Sequence, residues 1–195
     1  MSSRYSADDT YCYPNTVVLK NKLNLFNQEQ LDAFEAECCL ARMVELEENP
    51  IQGQFDLVHL QRIHKALFQD VYDWAGEIRT VDIMLDQSRF ANVQYIQENA
   101  TKIFNALAQE NYLKNLKIDK LASRLAHYLS EINVLHPFRD GNGRVQRVFI
   151  SQLCQEAGHQ IDFSDLTQAE VYAAMRHAFF GDETILAHLI HQRVS

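Results

Sequence analysis

The stretch HPFRDGNGRVQR, residues His136–Arg147, predicts more about this protein than any other segment of its sequence. It holds a histidine, an aspartate, two glycines around an asparagine, and three arginines. The segments before and after it, KLASRLAHYLSEINVL and VFISQLCQEAG, carry apolar residues at helical spacing. The sequence therefore predicts a polar loop between two buried helices, and such a loop needs a functional reason.

The loop has the residue types of a polyphosphate site. Gly141 and Gly143 permit backbone conformations that other residues avoid, so successive N–H groups could turn inward around an anion. A helix that begins there would add the positive end of its dipole, and Arg144 and Arg147 would project from nearly one face. Asp140 could pair with these arginines or hold Mg²⁺, which prefers one or two carboxylates together with phosphate oxygens.

A histidine completes this set. His136 ends the preceding helix, and histidine is the side chain whose ordinary titration range suits a general base near neutral pH. A base, a metal ligand and a phosphate cradle together indicate nucleotidyl or phosphoryl transfer. Each feature alone has a plainer interpretation, namely a turn, a structural histidine and a solvated arginine pair. Their coincidence within one short loop favours the transfer chemistry.

The composition is that of a folded, acidic chain. At 195 residues it fits a single domain, 1–195, with a core of about 11–190 and a flexible N-terminus at 1–10. Apolar residues make up 47%, which is too many for a disordered protein. The formal charge of −8 opposes nucleic-acid binding over most of the surface, so a DNA-binding protein is disfavoured.

Cysteine spacing and the lack of long apolar runs predict the location. The four cysteines show no CxxC spacing, and Cys38 and Cys39 are adjacent within a helical pattern, where a disulfide would distort the backbone. Reduced thiols are typical of the cytosol. The first residues lack an apolar signal core, and no window approaches the length of a membrane span. The sequence predicts a soluble cytoplasmic protein that does not enter a membrane.

Apolar periodicity predicts an all-α bundle with one hairpin. Capping signals mark helix starts at Asn27 and at Thr167 and a helix end at Gly158. The segment IRTVDIMLDQSRFANV has period-two stretches around a polar turn, which predicts the hairpin. The predicted helices run from Asn27 toward Glu47, then over about 56–69, 93–110, 118–135 and 143–157, from Thr167 to Gly181, and from Asp182, as the N-cap, through Ile190.

The quoted stretch matches in full the HPFx(D/E)GNGRxxR signature of the Fic family, and the chain is identified as a member by this resemblance. IHKALFQDVYDWAGEIR (Ile63–Arg79) resembles the family's helix and WAG turn, and SRFANVQYI (Ser88–Ile96) resembles its flap. YCYPNTVVLKNKLNL (Tyr11–Leu25) is similar to the segment that opens the domain in toxin-like and secreted-effector members. These segments together span most of residues 11–190.

The resemblance implies a compact helical bundle with a β-hairpin flap over the active site. It implies a protein adenylyltransferase, a nucleotidyltransferase that moves AMP from ATP to a Tyr, Ser or Thr hydroxyl of a target protein. By resemblance, His136 is the general base and Asp140 holds Mg²⁺. The implied nucleotide-binding residues are Phe138, which anchors the loop, Gly141, Asn142 and Gly143, which cradle the α- and β-phosphates, and Arg144 and Arg147 at the β/γ end.

The flap would span Ile83–Val93 and clamp an extended target segment by main-chain pairing, a form of strand addition. A plain edge hairpin is the alternative interpretation. Tyr72 and Trp74 are predicted to pack in the core or beside the adenine pocket. His64 and His127 are predicted to be structural, since each lies within an apolar helical pattern. The implied target-binding residues are Ile83, Ser88, Arg89, Phe90, Ala91, Asn92 and Val93.

An inhibitory motif of many Fic proteins, (S/T)xxxE(G/N), has no match in this sequence. The chain therefore resembles toxin-type members that are inhibited by a separate small antitoxin, whose glutamate would contact Arg147. Such members are thought to modify subunits of bacterial type II topoisomerases. The three Glu-Asn pairs fail because the required Ser or Thr is replaced by Val44, Gln94 and Ala106.

Other functions stay open at this point. A Doc-like kinase would transfer the γ-phosphate, but Doc-type motifs carry lysine where Gly143 stands. Other branches of the family move phosphocholine or remove AMP, and the motif excludes neither. A nucleotide-binding scaffold without turnover is the alternative outside the enzymes, and the intact motif disfavours it.

Overall fold

The computed structural model describes residues 10–85 and 88–195, so 1–9, nearly all of the predicted N-terminal tail, lies outside the described residues. Within the described part the fold has seven α-helices and one two-stranded sheet, which confirms the predicted all-α class. The helices are α1 (Gln28–Glu48), α2 (Leu57–Phe68), α3 (Ile96–Gln109), α4 (Ile118–Leu135), α5 (Asn142–Glu156), α6 (Gln168–Phe179) and α7 (Thr184–His191). The strands are β1 (Met84–Leu85) and β2 (Ser88–Arg89).

Two of the three helix starts that capping signals predict are confirmed. The Asn27 side chain accepts the N–H of Gln30 at 3.0 Å, which opens α1. Thr167 and Glu170 form a reciprocal capping box that opens α6. The predicted N-cap of the last helix is wrong by one residue: Glu183 holds that position, while the Asp182 carboxylate accepts the N–H of Thr184 at 3.1 Å.

Helix α4 occupies the centre of the bundle and packs against α3, α5, α6 and α7. Its inward positions are fully buried, including Leu121, Leu125 and Ile132. Helix α2 packs against α1 and α5 and closes the other side of the core. The loop between α4 and α5 is therefore surrounded by helices, which places the residues from His136 onward inside the protein.

The hairpin is shorter than the period-two pattern predicts. Met84 pairs with Arg89 and Leu85 with Ser88 in antiparallel register, and residues 86 and 87 lie outside the described residues. Apolar side chains from its base form a small separate cluster with helix α6, comprising Val81, Ile83, Leu85, Phe90 and Phe179. The hairpin is thus attached to the bundle by its base.

Two further predictions concern location. All four cysteines are free thiols, in agreement with the reduced state that their spacing predicts. None of the helices in the described ranges combines the length and apolar character that a membrane span requires.

Candidate active site

The site begins where α4 ends. The N–H of His136 donates to the carbonyl of Ile132 at 3.0 Å, and His136 then adopts a left-handed conformation with φ 44° and ψ 62°. A non-glycine residue in this region is uncommon. Pro137 follows and cannot continue the helix, so the chain turns sharply into the loop.

The His136 ring is held in one tautomer and one orientation. Its Nδ1 lies 2.9 Å from the carbonyl oxygen of Asn133, and a carbonyl can only accept, so Nδ1 carries the proton in the neutral ring. Nε2 is then the basic nitrogen. The ring stacks on Phe90 with centroids 3.7 Å apart and planes 20° apart. This arrangement presents a general base from a fixed direction.

Asn142 holds the loop together with its side chain. Its Oδ1 accepts the N–H of Phe138 at 3.0 Å, and its Nδ2 donates to the carbonyl of Phe138 at 2.8 Å. Asn142 and Phe138 are each 1% exposed. The Asn142 amide is therefore occupied by the loop itself, and what this residue can offer a phosphate is its backbone N–H. Phe138 fills the core beneath the loop, as an anchor would.

His64 joins the loop to the WAG turn. The N–H of Gly76 donates to His64 Nδ1 at 2.8 Å, so Nε2 carries the ring proton and donates to the carbonyl of Asp140 at 3.2 Å. The ring also stacks on Phe138 at 4.1 Å. Complete burial lowers the pKa of His64 to about 3, which keeps the ring neutral. This agrees with the structural role predicted for His64.

The two glycines of the motif differ in backbone conformation and in the space around them. Gly141 has φ +76°, and a Cβ there would lie 2.3 Å from the Phe68 ring, so only glycine fits. Gly143 lies in α5 without a positive φ, and a Cβ there would meet nothing nearer than Arg147 Nη1 at 3.7 Å. The expectation that both glycines adopt special conformations is therefore wrong for Gly143, because the helix has already begun.

The first turn of α5 is available to an anion. Gly141 caps the helix without a side-chain hydrogen bond, and its carbonyl takes the N–H groups of Arg144 and Val145, each at 3.1 Å. Within the described residues, neither Asn142 nor Gly143 donates its backbone N–H to a protein acceptor. Free N–H groups at a helix start, together with the helix dipole, form an anion site.

Asp140 lies beside this helix start. Its Oδ1 accepts the N–H of Gly141 at 2.6 Å, and its Oδ2 has no hydrogen-bond donor among the described residues. Among all the residues that the structure describes, no group of three His, Cys, Asp or Glu side chains could hold a metal ion. A cation here would need further ligands from phosphate and water, and this is how Mg²⁺ binds beside nucleotides. The residues present therefore fit Mg²⁺ as it would arrive with a polyphosphate.

Arg144 is fixed by a carboxylate that the motif does not contain. Its Nη2 lies 2.6 Å from Oε1 of Glu35 on α1, and Tyr72 donates its hydroxyl to Oε2 of the same glutamate. The guanidinium lies over the Phe68 ring at 4.6 Å. Sequence reasoning missed Glu35. Its spacing of four residues from both Leu31 and Cys39 indicates that it shares their helix face, but does not reveal its partner Arg144.

A cleft of about 490 Å³ lies between the loop and the C-terminal helices. It brings together five of the eight predicted site residues of the motif, whereas Phe138, Asp140 and Asn142 do not line it. The opposite wall is apolar and belongs mainly to α6, α7 and the segment before α6. The five predicted residues are His136, Gly141, Gly143, Arg144 and Arg147, and the apolar wall includes Phe163, Leu166, Val171, Met175, Leu186 and Leu189.

The predicted flap residues divide into two groups. Ile83 and Phe90 are buried, and the N–H of Ala91 donates to the carbonyl of Val134 at 3.0 Å, so these residues fix the base of the hairpin. Asn92 precedes a short helical turn that begins at Val93. The strand pairing is carried by Met84, Leu85, Ser88 and Arg89, and of these Leu85 lines the cleft.

The Fic/DOC family model matches residues 54–154, which contain the loop, the hairpin and the helices around them. The chain belongs to the Fic/DOC family. It is 39% identical over 189 residues to the protein adenylyltransferase VbhT of Bartonella schoenbuchensis and spans 40% of that protein's length. It is 37% identical over 188 residues to the "Probable protein adenylyltransferase Fic" of Escherichia coli K12 and spans 92% of that length.

Solved structures of Fic proteins share the architecture. The BepC protein of Bartonella tribocorum with bound AMPPNP has a TM-score of 0.89 and 27% identity, covering 95% of this chain and 96% of that one. The N-terminal Fic domain of an effector from Bartonella quintana with bound ADP has a TM-score of 0.89 and 29% identity, covering 95% and 94%. The names of the relatives confirm the predicted enzyme class, a nucleotidyltransferase of the protein adenylyltransferase type.

The different surroundings of Gly141 and Gly143 predict opposite effects of alanine substitution on stability. Gly141→Ala should lower the free energy of unfolding by about 2–5 kcal/mol, because a left-handed alanine is strained and its Cβ overlaps Phe68. Gly143→Ala is the matched control and should leave it unchanged or raise it by up to about 1 kcal/mol. Urea unfolding of both variants measures this. Equal losses of unfolding free energy in the two variants would contradict the conclusion that only Gly141 must be glycine.

Burial of His64 predicts a pH dependence of stability. Its pKa is about 3 in the folded protein against an ordinary 6.5, so the unfolded chain binds an extra proton between these values. Stability should therefore fall as pH is lowered through this window. Between pH 7 and pH 4 the wild type should lose about 3 kcal/mol more than His64→Gln. Parallel urea unfolding curves measure the difference, and identical pH profiles would refute the buried neutral ring.

Proposed function

We propose that this protein transfers AMP from ATP to a Tyr, Ser or Thr hydroxyl of a target protein. The observation that carries the proposal is a base with a fixed tautomer, His136, in one cleft with an uncapped helix start and two arginines. The relatives named protein adenylyltransferases and the nucleotide-bound structures of BepC and the B. quintana domain support it.

The nucleotide would lie along the cleft with its phosphates at α5. The backbone N–H groups of Asn142 and Gly143 would take the α- and β-phosphates, and Arg144 and Arg147 the β/γ end. The apolar wall from α6 and α7 suits the base of the nucleotide. Mg²⁺ on Asp140, when bound, would neutralise charge on the phosphates.

The transfer step uses the base and the cradle together. The target hydroxyl oxygen attacks the α-phosphorus, and His136 Nε2 accepts the hydroxyl proton. The bond between the α-phosphorus and the bridging oxygen breaks, and pyrophosphate leaves with that oxygen. Arg144 and Arg147 stabilise the charge that develops on the departing pyrophosphate. The target hydroxyl becomes an AMP ester.

The hairpin would position the target. An extended segment of the target would add to the hairpin edge by main-chain hydrogen bonds, which align the hydroxyl without demanding much target sequence. The position of Leu85 at the cleft supports this, because the hairpin edge then lies beside the reacting atoms. The resemblance implies subunits of bacterial type II topoisomerases as targets, and we propose these for a first assay.

Gly143 favours AMP transfer over a kinase reaction. The space around its Cα is open, with Arg147 Nη1 at 3.7 Å from an added Cβ. A lysine there, as in Doc-type motifs, would carry its charge into the cleft beside Arg147. This chain leaves that space to the nucleotide, which supports a phosphate cradle built from the α5 backbone.

The transfer is tested with ATP labelled at either the α- or the γ-phosphate, Mg²⁺, and bacterial lysate or purified topoisomerase subunits. We expect protein-bound label from the α position, reduced about 10²–10⁴-fold in His136→Ala, while ATP binding stays near that of the wild type. His127→Ala is the control, because His127 pairs with Glu183 away from the loop. Label from the γ position alone would make the protein a kinase and contradict the proposal.

We further propose that a separate small antitoxin inhibits the protein. A second groove of about 560 Å³ lies between α1 and α5, and Arg147 lines both this groove and the active-site cleft. Its apolar wall includes Leu40 and Val44, which are 66% and 50% exposed. A helix in this groove could place a glutamate on Arg147 and block the γ-phosphate, which supports regulation by a partner protein.

This regulation predicts toxicity of the chain expressed by itself in the bacterial cytoplasm. Growth should stop on induction of the wild type and continue on induction of His136→Ala at equal protein level, because toxicity would come from AMP transfer. Colony counts and immunoblots provide the measurement. Harmless high-level expression of a wild type that is active when purified would contradict an antitoxin-dependent protein.

A further inference from the structure

Arg79 is a buried arginine whose contacts link the hairpin to the catalytic histidine. It is 1% exposed. Its Nε donates to the carbonyl of His136 at 2.8 Å, its Nη1 to the carbonyl of Val81 at 2.7 Å, and its Nη2 to the carbonyl of Ala91. Its own backbone N–H donates to the carbonyl of Pro137 at 2.9 Å. One side chain therefore satisfies three main-chain carbonyls from three segments.

These three segments are the ones that the transfer reaction must keep in register. Val81 precedes β1, Ala91 follows β2, and His136 is the base, so Arg79 touches both legs of the hairpin and the residue that receives the proton. Asp82 strengthens the second leg, because its Oδ1 accepts the N–H of Val93 at 2.8 Å and lies 3.8 Å from Arg79 Nη1.

Burying a guanidinium in this place is unfavourable unless its N–H groups have hydrogen-bond acceptors. Burial lowers the pKa of Arg79 to about 10, although the Asp82 carboxylate opposes this. The Arg79 side chain has 0% exposure, while that of Asp82 is 51% exposed. The free-energy cost of burying the guanidinium is therefore offset mainly by its hydrogen bonds to the carbonyl oxygens. Arginine presents five donors in a planar fork, and lysine cannot reproduce three separated contacts.

We propose that Arg79 is a positioning residue, which holds His136 in its left-handed conformation and fixes both legs of the hairpin to it. The expected effect on turnover rests on the proposed transfer reaction. The effect on the positions of His136 and the hairpin rests on the hydrogen bonds of Arg79 alone. With both legs fixed, a target segment paired to the hairpin edge would place its hydroxyl at a constant distance from His136 Nε2. The nucleotide cradle is held by other contacts, from Asn142 and His64.

Arg79→Lys separates positioning from general stability. In the holoenzyme with Mg²⁺ and ATP, transfer at saturating target should fall on the order of 10²-fold, as expected for a misplacement of about 1 Å. The KM for ATP should stay within about twofold, because the α5 start is untouched. Arg124→Lys is the matched control: Arg124 lies on α4, the helix that ends just before His136, and it pairs with Glu110 and Tyr128 instead of the hairpin.

Amide hydrogen exchange tests the same idea without activity. The N–H groups of Ala91 and Val93, which bond to Val134 and Asp82, should exchange at least tenfold faster in Arg79→Lys and at the wild-type rate in Arg124→Lys. Unchanged exchange at both amides would overturn the proposal. If the wild type is active, unchanged turnover in Arg79→Lys would also overturn it. So would an equal loss of turnover in Arg79→Lys and Arg124→Lys.

The two readouts keep the two proposals distinct. A wild type that transfers no AMP to any target would refute the proposed function, while the exchange rates at Ala91 and Val93 would still decide the role of Arg79. An active wild type with faster exchange and lower turnover in Arg79→Lys supports both proposals.

Discussion

The loop from His136 to Gly141 is almost entirely buried, and buried backbone carbonyls and N–H groups need hydrogen-bond partners. The protein supplies them with side chains from distant segments. Arg79 takes the carbonyl of His136, Asn142 takes both polar groups of Phe138, and His64 takes the carbonyl of Asp140. The conformation of the loop and the start of α5 depend on this set of hydrogen bonds.

The same requirement explains where the ligand site lies. Once the loop's interior groups are paired, the backbone N–H groups of Asn142 and Gly143 at the start of α5 face no protein acceptor among the described residues. Of the two residues, Gly143 lines the cleft that also contains His136 and Arg147. Glu35 holds Arg144 at the edge of this cleft through a partly buried ion pair. A polyphosphate is the kind of ligand that completes such an arrangement.

Much of the fold could be predicted from the sequence because its signals are local. Asn27, Thr167 and Gly158 mark helix ends by their own side chains or conformations, and apolar spacing predicts each helix to within a few residues. The roles of Glu35 and Arg79 could not be predicted in this way, because their partners lie 109 and 57 residues away in the chain. The motif likewise does not reveal that the Asn142 side chain serves the loop.

The proposed transfer requires a nucleotide to bind with its phosphates at the start of α5 and its base against α6 and α7. Nuclear magnetic resonance with ¹⁵N amides and ¹³C methionine methyls tests it most directly, on titration with Mg²⁺ and AMPPNP. We expect the largest amide shifts at Asn142 and Gly143 and a shift of the Met175 methyl, because Met175 lines the cleft. Unmoved amides at these two residues, with a shift confined to Met43 in the second groove, would contradict it.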